Sequence, residues 1–295
     1  MKRNSILLFL VLVLHSFAGA QNDPPKLLLR LDDNGMNYAV TMAIKQVAES
    51  GIPFSTSVMF TCPWHQKAIS ELKAFPNVSI GVHLVLNSEW KHYRWGPVLG
   101  RTAVPSLVDN DGYFYPSTEE FLKSKYRLKE VEEELEAQIE RALSSGLKMD
   151  YVDYHMWTAV STPELRAIVE KLAKKYRLGI ARYFDENYLS MFDAPVETKR
   201  TEFFKKLGSL QRDKVNLLVM HVAQDTPEMQ AMIDMNNPDM HSDTKPVVAM
   251  HRSAELSLLL SKQFQDLVKS GAVKLVTYKD LVKEMGLDKM KAPEE

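Results

Sequence analysis

Leu28-Leu29-Arg30-Leu31-Asp32-Asp33-Asn34-Gly35 is an apolar run that stops abruptly at two adjacent carboxylates and a turn signal. A run of this length closed by Asn34-Gly35 reads as a buried strand. Two neighbouring carboxylates at such an end repel each other and lose hydration unless a cation or a shared proton relieves them. The pair therefore marks a site, against the plainer reading of a solvated acidic turn.

Other apolar runs also lead into histidine. Val78–Leu84 carries Gly81-Val82-His83-Leu84, where His83 alone could be a core residue bonded to a carbonyl. Tyr151-Val152-Asp153-Tyr154-His155 places Asp153 and His155 on one strand face, with Trp157 continuing it. Val215-Asn216-Leu217-Leu218-Val219-Met220 ends on His221. One carboxylate with two imidazoles is a ligand set suited to a hydrolytic divalent ion. Barrel closure would bring these strand ends together.

Short apolar runs alternate with amphipathic segments along most of the chain. The expected strands are Lys26–Leu31, Ser55–Met59, Val78–Leu84, Tyr151–Asp153, Gly179–Ala181, Val215–Met220 and Val273–Val276. Between and after them the spacing predicts helices over Tyr38–Ser50, Pro63–Lys73, Leu128–Ser144, Pro163–Tyr176, Val196–Leu210, Ala254–Lys269 and Tyr278–Met285. Repeated strand-then-helix units argue for parallel strands, in a barrel or an open sheet. Three irregular insertions, near 87–117, 183–195 and 223–251, each follow a strand and so belong at the C-terminal face. The first carries Trp90, His92, Tyr93, Trp95, Tyr113, Phe114 and Tyr115, read either as sugar-stacking faces or as loop packing.

Residues 1–20 read as a secretory signal peptide: Lys2 and Arg3, then apolar Ile6–Leu14, then the small-residue pattern Ala18-Gly19-Ala20. A retained anchor is the alternative. Residues 21–295 then form one exported domain, periplasmic or secreted, with no membrane association after signal removal. A hydrophobic fraction of 45% and a charged fraction of 25% are ordinary for a globular domain. The formal net charge of −1 gives no electrostatic reason to expect nucleic acid. Cys62 is the single cysteine, so no intrachain disulfide is available and a packed core must supply stability. Oligomeric state has no signature in the sequence.

The chain resembles the YdjC-like (ChbG-type) carbohydrate deacetylases. The resemblance lies in Leu31-Asp32-Asp33-Asn34-Gly35, Ser55-Thr56-Ser57-Val58-Met59, Gly81-Val82-His83-Leu84-Val85-Leu86, Asp153-Tyr154-His155, Met220-His221 and Arg252-Ser253-Ala254-Glu255-Leu256. It implies an α/β fold, a (β/α) barrel of seven strands with long loops at its C-terminal face. By the same resemblance, Asp33, His83 and His155 would hold one divalent metal ion, Zn2+ or Mg2+. Asp32 would be the general base, His221 the general acid and Arg252 the residue orienting a catalytic carboxylate. Asp153 would fix an imidazole tautomer. The implied reaction is hydrolysis of N-acetyl groups on an amino-sugar oligosaccharide, giving acetate.

Three departures from the family pattern stand out: Asn34 for the usual Phe, Trp157 for a second histidine, and Val222-Ala223 for Pro-Gly. None removes a ligand. Rival readings are an exported metal-dependent acetyl esterase and an inactive sugar-binding member of the fold. Were His221 only a core residue, His241 would be the next candidate acid.

Overall fold

The first strand, Lys26–Asn34 (β1), is buried along nearly its whole length, as its KLLLRLDDN run requires of a strand covered on both faces. It continues into α1 (Tyr38–Glu49), β2 (Phe54–Val58), α2 (His65–Leu72) and β3 (Val78–Leu84). The middle of the chain forms α3 (Thr118–Lys123), α4 (Leu128–Ser144), β4 (Tyr151–Tyr154), α5 (Pro163–Tyr176), β5 (Gly179–Ile180) and β6 (Asn187–Ser190). The remainder forms α6 (Lys199–Gly208), β7 (Val215–Met220), α7 (Pro227–Gln230), α8 (Val247–Leu260), α9 (Lys262–Lys269), β8 (Lys274–Val276) and α10 (Tyr278–Met285). This computed structural model describes residues 23–237 and 245–293. Residues 1–20, read above as a signal peptide, and His241 lie outside the described residues.

All the strand pairings are parallel, in the order β5-β4-β3-β2-β1-β7-β6. The result is a half-barrel of α/β type, consistent with the expected (β/α) barrel. β8 pairs with Lys26–Leu28 of β1, beyond the Arg30–Asn34 stretch that pairs with β2. Seven strands thus form the continuous path, but one of them is not among those expected. β6 lies inside the 183–195 segment read as an irregular insertion, and the expected strand at 273–276 is a short branch on β1. β6 is only partly buried and carries one strongly apolar residue, Leu189, so periodicity gave it no signal.

The helix expected over Ala254–Lys269 is two helices beginning at Val247. Ser261 is extended (φ −64°, ψ 140°), and its Oγ accepts from the Phe264 N–H as the cap of α9. α6 is shorter than expected at both ends. β1 runs three residues past the expected Leu31, to Asn34. The other boundaries agree to within two residues, and those of Val78–Leu84, Leu128–Ser144, Pro163–Tyr176, Val215–Met220 and Tyr278–Met285 coincide.

Strand alternation sorts β1 between two cores. Leu27, Leu29 and Leu31 join the layer beneath the helices, while Leu28 packs inside the half-barrel with Tyr151, Leu217, Val219 and Tyr278. Leu281 of α10 belongs to the same inner cluster, so α10 packs into the half-barrel's interior. Gly81 is required here: a Cβ would lie 2.4 Å from the Tyr151 ring. The same parity turns Arg30 and Asp32 inward.

Candidate metal centre

A regular strand would turn Asp32 and Asp33 to opposite faces. Between Leu31 and Asn34 the register with β2 shifts, and Asp33 adopts φ +63°. That left-handed step, which aspartate tolerates better than most residues, lets neighbouring carboxylates line one pocket. Gly35 follows at φ +83°, where a Cβ would lie 2.8 Å from the His65 Cα. The Asn-Gly turn thus has a steric cause as well as a conformational one.

Asp33, His83 and His155 converge at the strand ends, all buried. Asp33 Oδ1 lies 3.4 Å from His83 Nε2 and 3.4 Å from His155 Nδ1, and the two nitrogens are 3.2 Å apart. Tetrahedral coordination with bonds of about 2.0–2.1 Å spaces its donors about 3.3 Å apart. An octahedral face at similar bond lengths would need about 2.9 Å. Asp33 Oδ1 is buried without a hydrogen-bond partner, a costly condition that a cation relieves.

Each imidazole is held by its other nitrogen. His83 Nδ1 is 2.8 Å from Asp153 Oδ1, and His155 Nε2 is 2.9 Å from Glu89 Oε2. Such carboxylate–histidine pairs fix ring orientation and leave the remaining nitrogen for the metal. Asp153 is fixed in turn by the Ser57 hydroxyl, which donates at 2.5 Å, and by Arg30 Nε at 3.1 Å. Burial alone would lower the histidines, but Asp153 and Asp33 raise His83 to about 9, and Glu89 and Asp33 raise His155 to about 10. Burial opposes ionisation of Asp33, yet Arg252 and both histidines hold its carboxyl well below the usual range. The cluster draws positive charge to its centre, so its electrostatics fit a divalent cation as its spacing does.

Glu89 comes from the 87–117 insertion, far from His155 in sequence, and the sequence reading missed it. Glu89→Gln should weaken divalent-ion affinity by about 10–100-fold, the usual cost of losing a ligand's carboxylate partner. Competition titration against a chromogenic chelator measures it. Unchanged affinity would mean that Glu89 does not support His155.

The other expected site residues surround the same pocket. Arg30 Nε and Nη2 grip Asp32 Oδ1 and Oδ2 at 2.7 and 2.8 Å. Arg252 Nη2 donates to Asp33 Oδ2 at 2.7 Å, while its Nη1 is buried without a partner. Arg252 therefore orients the candidate ligand Asp33. The His221 backbone N–H donates to Glu255 Oε2 at 2.7 Å, and Glu255 Oε1 accepts from Lys199 Nζ at 2.6 Å. Burial, with Arg252 and His83 acting in the same direction, pushes the His221 imidazole down to about 4. Arg30 was visible two residues before Asp32 on the same face, a signal that the apolar run concealed.

Trp157 does not continue the β4 face. The strand ends at Tyr154, and Met156 and Trp157 turn left-handed at φ 49° and 64°. The 87–117 aromatics are largely packing: Trp90, Trp95 and Phe114 are buried, and Trp95 Nε1 donates to the Asn87 carbonyl at 3.0 Å. Glu134 of α4 anchors this insertion by accepting from the Val98 and Leu99 N–H groups at 2.8 and 3.0 Å. The pocket, about 460 Å³, is lined by Trp90 from this insertion and otherwise edged by Trp157, Tyr188 and Phe192, with Asp193 and Asp234.

Comparison with known proteins places this architecture. A family model described as YdjC-like protein matches residues 26–270. A protein named carbohydrate deacetylase from Enterococcus faecalis is 27% identical over 263 residues, 87% of this chain and 98% of the relative. One of the same name from Listeria monocytogenes is 28% identical over 263 residues, covering 87% of this chain and all of the relative. A crystal structure from Enterococcus faecalis V583, provisionally named as a cellobiose-phosphate cleavage protein, superposes with a TM-score of 0.70 at 25% identity. The match covers 88% of this chain and 99% of that one.

Proposed function

This chain belongs to the YdjC-like protein family, and on that premise we propose that it is a metal-dependent carbohydrate deacetylase, hydrolysing N-acetyl groups of an amino-sugar oligosaccharide to acetate. Relatives named carbohydrate deacetylase, matched nearly end to end, support the reaction class. The observation that carries the metal dependence is the triangle of converging donor atoms on Asp33, His83 and His155, with Asp33 Oδ1 lacking a hydrogen-bond partner. Its spacing and its two imidazoles favour zinc over magnesium.

When bound there, a divalent ion supplies Lewis acidity and lowers the pKa of water from about 15.7 towards about 7. Asp32 accepts the proton of the attacking water on lone pairs that the Arg30 fork leaves free. His221 gives a proton to the departing sugar amine, which is a poor leaving group without one. Its surroundings keep His221 uncharged at rest, so the proton it gives the amine is the one Asp32 took from the water, passed on within the same turnover across the pocket that both residues line. Arg252 holds Asp33 in place.

Both guanidinium groups lining the pocket are engaged with Asp32 and Asp33, while Asp193 and Asp234 add negative charge. An uncharged sugar suits this lining better than a phosphorylated one. Export belongs to the same proposal and rests on residues 1–20.

The test is acetate release from N-acetylated amino-sugar oligosaccharides beside O-acetylated sugars of equal length. Preferential release from the amides supports the proposal. Release from the esters alone would make the protein an acetyl esterase, and release from neither would favour the sugar-binding reading.

A further inference from the structure

We propose that Trp157, with Tyr188 beside it, is a platform for a second pyranose ring of the substrate, next to the ring that carries the acetyl group at the metal centre. The proposal rests on the deacetylase reading and deepens it: the substrate is at least a disaccharide, recognised by ring stacking. The candidate ligands lining the pocket are buried, whereas Trp157 lines the same pocket and remains 37% exposed. A tryptophan left this exposed on the wall of the pocket that holds the candidate ligands is not explained by the core.

Its position is also fixed at a conformational cost. Met156 and Trp157 are consecutive left-handed residues, neither of them glycine, and such backbone persists only where its surroundings impose it. The surroundings do so here. Thr118 Oγ1 donates to the Met156 carbonyl at 3.1 Å, and Asn87 Nδ2 contacts Met156 Sδ at 2.7 Å. The Arg182 guanidinium lies 4.7 Å from the Trp157 ring centroid and 5.2 Å from that of Tyr188. Tyr154 and Tyr188 both approach the Trp157 ring, with centroids 5.4 Å away. A braced aromatic surface loses little freedom when a ligand lands on it. The apolar C–H face of a pyranose presents weakly positive hydrogens to the negative face of an indole.

Calorimetric titration of the zinc-loaded protein with the β-1,4-linked disaccharide of N-acetylglucosamine, and separately with the monosaccharide, tests this. Both product formation and binding are followed. Wild type should bind the disaccharide more tightly. Trp157→Ala should reduce that advantage by up to about ten-fold, the scale of one aromatic stacking contact, while Trp157→Tyr retains most of it. Equal disaccharide affinity in wild type and Trp157→Ala would overturn the platform. So would a wild type that binds the disaccharide no better than the monosaccharide. Trp157-dependent binding without acetate release would leave the platform standing and defeat the deacetylase reading.

Discussion

Replacing His221 with alanine should slow acetate release from an N-acetyl sugar by about 10²–10⁴-fold, the range for a positioned acid or base. It should slow hydrolysis of an activated aryl acetate far less, because a phenolate departs without needing that proton. The fold should survive. What ties His221 to its surroundings is its backbone N–H on Glu255, itself paired with buried Lys199, and alanine keeps that bond. Metal content should also be unchanged, since His221 is not among the three clustered donors. Parallel rates on the two substrates, with elemental analysis of both proteins, decide the matter. Equal losses on amide and ester would make His221 a substrate-positioning residue or a ligand.

The neighbouring aspartates should separate as sharply. Asp33→Asn should lose the ion and with it nearly all turnover, whereas Asp32→Asn should keep the ion and lose turnover alone, because a ligand sets occupancy and a base sets rate. Asparagine is the informative replacement at position 33. It tolerates the φ of +63° there, while alanine would confound loss of charge with backbone strain. At position 32 an amide oxygen can still accept from Arg30, which limits damage to that buried pair. Metal content after gel filtration, beside acetate release, gives both readouts. Ion loss in Asp32→Asn with retention in Asp33→Asn would exchange the two roles.

Strand ends were the legible part of this chain. Val78–Leu84 and Val215–Met220 are strong apolar runs, and the residues at or beyond their ends, His83 and His221, line the pocket. What periodicity could not supply was anything set by the bulge or by distant insertions. Asp32 and Asp33 share a pocket only because Asp33 leaves the extended region. Glu89 reaches His155 across a loop whose course is set by buried polar anchors on α4, not by any local pattern. Trp157 was expected on the β4 face because Asp153 and His155 set up an alternation, but two left-handed residues ended it. β6 was hidden by its polar, half-buried sequence. The aromatic-rich 87–117 insertion misled in the opposite direction, since its aromatics are mostly loop packing and only Trp90 among them lines the pocket, which Trp157, Tyr188 and Phe192 edge.

The most direct test of a metal-dependent centre on Asp33, His83 and His155 is acetate release from an N-acetylated disaccharide by wild-type protein. It is measured after exhaustive chelation and again after titration with zinc. Turnover should vanish in the stripped protein and return in proportion to added ion, reaching its plateau at one ion per chain. Undiminished acetate release from protein shown by elemental analysis to be free of metal would contradict the account.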